Sequence, residues 1–470
     1  MTTPWKPYTP TPAAPWDIRR VVHLHRRAGF ATTWPEIQRD LRDGPAASIE
    51  RLLGGRSWDG SLPADYAGRC ERLEELALAS GRPADLRAAW VYRMLHGPDP
   101  LGERLTLLWH NHFATSNEKV DDVHAMLRQN ALFRESSRAR FGELLGRLAH
   151  DPALLFYLDA QANRKEHPNE NLARELLELF TLGVGHYTEA DVREAARALT
   201  GWSLRGGLDN DQRPLSGQSL ERNLRYSPDR HDDGEKTVLG RRGRWSGDDL
   251  VRILLDQPAT ADRLAWRIAT EFLGDGIATQ EERTALAEGL RGSGLDIGPA
   301  VARVLRSERF FAKDTMGRRV PGPVEWTVAA VRRFLPLDPP PSSVRLAEWA
   351  ARVGQNLFYP PNVGGWPGGR AWLSPLALLG RANLAADLLS GRLARPAARP
   401  LDVLGLAQRH GRGSSREELV QFLTELILGE APEAGWTGRV LAAAGADREP
   451  ADFARRAAVA ILASPQAQLG

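Results

Sequence analysis

Two imidazoles one residue apart, His110 and His112 in the run WHNHFATS, are the side chains of this chain best suited to hold a metal ion. On a helix, residues two apart diverge by about 200° and cannot share one small ligand. On an extended segment they point the same way and can bind one ion together. Leu101, Leu105, Leu108 and Trp109 are spaced for a helix, whereas FATS is not, so the helix is expected to end at the histidines and free His112 to turn. The competing reading makes both rings hydrogen-bonded anchors of that turn. Glu103 shares the His110 stripe but lies about 10 Å away along the helix, which suits it to pairing with an arginine or supporting a ligand.

Carboxylates that could complete such a site stand in PNENLARELLELFTLGVGHYTEADVREAARALTGW, residues 168 to 202. On a helical wheel, Leu172, Ala173, Leu176, Leu177, Leu179 and Phe180 fill an apolar arc of roughly 160°. Glu175 lies at its border, half-buried and in need of a partner. Glu178 is three residues on, and the pair resembles helical di-metal carboxylates without matching their Glu-x-x-His pattern. The structural alternative is a ladder of Glu170, Arg174 and Glu178. Glu194 edges the apolar face of a second helix, with Arg197 as a ready ion-pair partner. His231, Asp232 and Lys236 surround a DDG turn, which either completes the site or is held by its own Asx bonds. GEKT lacks the glycine spacing of a phosphate-binding loop. FATS shows no nucleophile-elbow pattern, which counts against a serine hydrolase.

These residues need elements to position them, and the elements are helical. Gly183 and Gly185 separate the two central helices, and Thr188 with Asp191 forms a capping-box variant that starts the second. Thr33 is the expected N-cap of a helix from Trp34, and GPDP (Gly97 to Pro100) breaks two helices between residues 84 and 109. Residues 203 to 245, rich in Gly, Asp, Asn and Arg, read as an irregular insertion with a small hairpin. Helical periodicity resumes at Ser246, and the loop FYPPNVGGWPGGRAWL is too rich in Pro and Gly for a helix. Trp366 and Trp372 in it either line a pocket or pin the loop to the core. The expected fold is mainly α: residues 1 to 202 a helical core with the central helices, 203 to 245 the insertion, and 246 to 470 a helical region packed on the core.

The same stretches carry a family resemblance. The central motif, with HLHRRAGF, ERLTLLWHNHFATS, HDDGEKTVLG and PPNVGGWPGGRAWL, is similar to the bacterial "domain of unknown function 1800" family, in family order over nearly the whole chain. Six of the 11 histidines fall inside these motifs. The resemblance implies no reaction. It does imply a protein partner, because such chains are encoded beside a second, phosphatase-like family.

Composition narrows the classes. A single cysteine, Cys70, leaves no internal disulfide and no cysteine-built zinc site. Any metal would be held by His, Asp and Glu. The net charge of +3 is spread through interleaved acids and bases, unlike a nucleic-acid surface. Only five of the 62 basic residues are lysines, so Lys236 inside a motif is notable. No apolar run reaches membrane-spanning length and the N-terminus lacks a signal pattern, so a soluble, cytoplasmic protein is expected. An export signal upstream of the sequence is the open alternative.

The reading that follows is a metal-dependent enzyme acting on a small molecule or peptide, with oxidative chemistry favoured over hydrolysis by analogy with helical iron sites. Its ligands would be His110, His112, His231 and Glu175, holding iron, manganese or zinc. Glu175, Glu178, Glu194 and Lys236 would be its catalytic residues. The rival is a non-catalytic helical binding or scaffold protein that acts with a partner.

Overall fold

The computed structural model describes residues 4–55, 65–204, 220–394, 399–431, 433–445 and 447–470. Residues 205 to 219 of the expected insertion lie outside the described residues. Helices dominate, and the strands form two small antiparallel pairs. Among the described residues, no helix is long and apolar enough to cross a membrane.

Local signals in the sequence become local structure. Thr33 caps the Trp34–Leu53 helix through a capping box with Glu36, and Thr188 with Asp191 does the same for Glu189–Ala198. The GPDP break separates Pro83–His96 from Pro100–His112, and Asp99 caps the second by accepting the Gly102 N–H. In the insertion, Lys236–Val238 pairs with Arg241–Gly243. That hairpin closes at Leu239 and Gly240, both at positive φ, not at the DDG turn. The run LRYS supplies a strand, Leu224–Tyr226, which pairs with Trp202–Leu204.

Two apolar cores hold the helices together, and they do not follow chain order. One gathers Leu172, Leu176, Leu177 and Phe180 of the central motif with side chains as distant as Trp5 and Phe311. The other joins Trp90 and Met94 to the C-terminal helices as far as Leu462. The Pro100–His112 helix belongs to both. Leu101, Leu105, Leu108 and Trp109 enter the first, and Leu107 enters the second. Every residue of this helix except Asn111 is buried, so its polar side chains must find partners inside the protein.

The central motif departs from regular helix. Asn171–Glu175 is α-helical, but Leu176–Leu182 continues as a π-helix and stops at Gly183, whose φ is +87°. The Thr181 hydroxyl donates back to the Leu176 carbonyl at 2.5 Å. A widened turn of this kind leaves carbonyls near the helix end free for partners elsewhere. One of them, Phe180, meets His112.

Candidate functional site

His110 and His112 lie at the last turn of their helix, as expected, and each ring is held by a backbone group. The His110 Nε2 accepts the Phe358 N–H at 3.1 Å. Trp90, Phe358 and Trp366 surround the ring, with centroids 5.3 to 5.5 Å away. The His112 Nε2 bonds the Phe180 carbonyl at 3.0 Å, which requires that nitrogen to carry the hydrogen. The two rings are therefore opposite tautomers: one must accept at Nε2 and the other must donate there. Burial lowers the His110 pKa to about 3. His112 is pushed well below the usual histidine value by burial first and then by Arg267 and Arg263, against the opposing pull of the Phe180 carbonyl. Both are neutral imidazoles at neutral pH.

The remaining candidate residues occupy other environments. Glu175 is half-buried, and burial followed by the nearby Glu178 raises its pKa. Glu178 accepts the Tyr187 hydroxyl. Arg174 pairs with Glu170 at 2.9 Å and with Glu189 at 2.8 Å, so the ladder runs to the next helix and not to Glu178. Glu103 takes the Trp90 indole N–H at 2.8 Å and Arg134 at 2.6 Å, the arginine pairing named as one of its two roles.

Glu194, His231 and Lys236 form a staple between the insertion and the Glu189–Ala198 helix. Glu194 pairs with Arg197 at 2.9 Å and accepts the Thr237 N–H at 3.1 Å. Arg197 also holds Asp232 at 2.7 Å. The Asp232 carboxylate accepts the Gly234 N–H at 2.9 Å, which is the Asx turn. His231 reaches the Thr200 carbonyl at 3.0 Å through Nδ1. Lys236 is buried, and its ammonium donates to the Asp232 and Gly234 carbonyls; burial lowers its pKa. Among the described residues, no group of three or more His, Cys, Asp or Glu is placed to hold a metal ion.

Two of the family-like motifs, ERLTLLWHNHFATS and PPNVGGWPGGRAWL, instead meet at a cavity of about 680 Å³. One wall is the Pro258–Leu273 helix, which presents Trp266, Arg267, Thr270 and Glu271. The glycine-rich loop carrying Trp366 and Trp372 lines the cavity as well, and so does Asn111. The Asn111 side chain, the one residue of its helix not buried, accepts the Trp366 N–H at 2.8 Å. With the bond from Phe358 to His110, this ties the loop to the histidine helix at two points. Gly365 makes the approach close enough. Its φ is +80°, and a Cβ there would stand 2.3 Å from the Asn111 Oδ1 and 2.5 Å from its carbonyl oxygen. Gly365→Ala should therefore destabilise the protein by about 2–4 kcal/mol and detach the loop, which a denaturant melt followed by tryptophan emission would report. A loss within about 0.5 kcal/mol would show that the loop is not clamped in this way.

At the cavity floor lies a buried ion network whose members are far apart in sequence. Arg104 donates to Glu271 at 2.7 Å and meets Glu325 at 3.1 Å. Arg319 pairs with the same two acids, at 3.1 Å to Glu271 and more closely to Glu325. Burial alone would raise both carboxyls, but Arg319 and Arg104 override it and hold Glu271 at about 2 and Glu325 below its ordinary value. Sequence motifs do not single these residues out. The only hint was the i,i+4 spacing of Arg267 and Glu271 on the Pro258–Leu273 helix.

No curated protein and no solved structure matches the chain. One family model matches residues 23–469, nearly the whole length, and on that match the chain belongs to the family described as "Protein of unknown function (DUF1800)".

Proposed function

We propose that this protein binds a small organic molecule in the 680 Å³ cavity. The volume lies within the range of about 300–1,000 Å³ in which small-molecule sites fall. The observation that carries the reading is the convergence on one cavity of motifs that are remote in sequence. The histidine helix, the Pro258–Leu273 helix and the tryptophan loop each supply part of its lining. His110 and His112 serve it indirectly, fixing the loop and the π-helical end against the helix that carries them, and Asn111 both lines it and holds the loop.

This is closest to the helical binding protein weighed against the enzyme. The residues proposed for catalysis, Glu175, Glu178, Glu194 and Lys236, are not among those that line the cavity. A His/carboxylate metal centre rests on residue types alone, since each proposed histidine ligand is engaged with a backbone group.

Filling the cavity tests the reading. A fragment library screened by ligand-observed NMR should yield hits with the wild type that disappear in Thr270→Trp, whose indole would occupy the space between the walls. Hits that persist in Thr270→Trp, or a wild type that binds no fragment, would overturn it.

A further inference from the structure

We propose that the cavity selects an oxyanion, a phosphate or a carboxylate, borne on a flat ring or sugar face, with the Arg267 guanidinium as its anchor. The inference rests on the cavity being a binding site and adds the chemistry of what it takes.

The first argument is an unanswered cation. Arg267 lines the cavity as a half-buried side chain, and among the described residues no hydrogen bond or ion pair holds its guanidinium. Glu271 attracts it through space but is bonded to Arg104 and Arg319. A half-buried guanidinium that no carboxylate of the described residues holds is open to an acceptor supplied by a ligand. The fork of N–H donors matches two oxygens of a phosphate or carboxylate, which a lysine ammonium does not.

The second argument is the charge around the floor. Arg27, Arg104, Arg267, Arg319 and Arg381 all act on, or are acted on by, just two carboxylates, Glu271 and Glu325. Five guanidiniums against two acids leave a cationic surplus in a region of low dielectric, where it is poorly screened. Arg104 also has a sealed Nη2 without a partner. At the mouth, the exposed Arg318 and Arg370 extend the positive field, opposed by Asp275. A cationic ligand would enter against this field, and an anion would be drawn along it.

The third argument is the wall. Trp266, Trp366 and Trp372 line the same space. Indole faces favour flat apolar surfaces such as aromatic rings or the faces of sugars, so the anion is expected to come attached to one.

Three probes of similar size separate the outcomes: phenyl phosphate, benzoate and benzylamine, titrated by NMR against the wild type, Arg267→Gln, Arg267→Lys, Arg370→Glu and Thr270→Trp. The wild type should bind at least one of the anions and not benzylamine. Arg267→Gln should weaken anion binding at least 10-fold, and Arg267→Lys should recover part of it. Arg370→Glu, at an exposed position that leaves the fold intact, should weaken it several-fold, and Thr270→Trp should abolish it. Tighter binding of phenyl phosphate would point to a phosphorylated ligand, and tighter binding of benzoate to a carboxylic acid. Benzylamine binding that Thr270→Trp removes, or anion binding indifferent to both Arg267 variants, would overturn the anion inference and leave the cavity reading standing. Failure of Thr270→Trp to affect any probe would overturn both.

Discussion

Glu271→Ala should lower the unfolding free energy by about 3–5 kcal/mol, the range typical when one partner of a buried ion network is removed. Arg104 is 1% exposed and would keep Glu325, at 3.1 Å, as its one carboxylate, beside a 3.4 Å bond to the Gly29 carbonyl. Arg319 would lose one of its two acids. The destabilisation comes less from the lost attraction than from guanidiniums stranded in a region already crowded with positive charge. A surface pair provides the control. Glu50 and Arg306 approach to 2.6 Å, but both side chains are half exposed, and Glu50→Ala should cost less than about 1 kcal/mol. Urea unfolding of both variants at neutral pH makes the comparison. Equal losses would mean that the floor of the cavity is as well hydrated as the surface.

How much of this was legible in the sequence depends on where each residue's partner lies. Thr33 with Glu36, Thr188 with Asp191, and the break at GPDP were readable because cause and effect sit within four residues. The mainly α fold was readable because apolar periodicity repeats along most of the chain. Glu103 was readable in part, since a buried acid demands a base, although the sequence could not say that the base is Arg134.

The histidines show the limit. Their type and spacing suggested a metal, but their partners are the Phe358 N–H and the Phe180 carbonyl, 248 and 68 residues away. Backbone groups carry no signature in a sequence. Nor does the π-helical turn that presents Phe180, since LLELFTL has the pattern of an ordinary amphipathic helix. The cavity was hidden for a related reason. Arg267 and Glu271 have the i,i+4 spacing of an ordinary solvated pair, and only the packing of Arg104 and Arg319 brings Glu271 into the buried network. For Trp366 and Trp372, pocket lining and loop pinning had been rival readings. Both describe them, since they are 5% and 7% exposed while lining the cavity.

Acidification from pH 6.5 towards 3 should cost the protein more stability than its carboxylates explain, and four buried histidines, His23, His96 (lowered to about 4 by burial), His110 and His112, are the reason. His110 has its pKa lowered by burial to about 3. His112 is well below the ordinary value from burial and then Arg267, and His23 from burial and then Arg27. The sign follows from proton binding. Below pH 6.5 the unfolded chain protonates these rings while the folded chain does not, so their contribution is complete above 6.5 and lost as pH falls towards the folded values. Asp151, raised to about 6 by burial, works in the opposite direction between 6 and its unfolded value of 3.8 and offsets one proton. Glu271 and Glu325 add to the loss only below about 4.5. Each ring can steepen the slope by up to about 1.4 kcal/mol per pH unit. Protonating His110 would put a hydrogen on Nε2 facing the Phe358 N–H, donor against donor. His110→Gln keeps an acceptor for that N–H but cannot titrate. Urea unfolding at a series of pH values between about 7.5 and 4.5 should show a steep slope in the wild type and a slope shallower by close to one proton in His110→Gln. A wild type equally stable at both ends of that range, or a variant with the wild-type slope, would show that His110 is not held neutral by its burial.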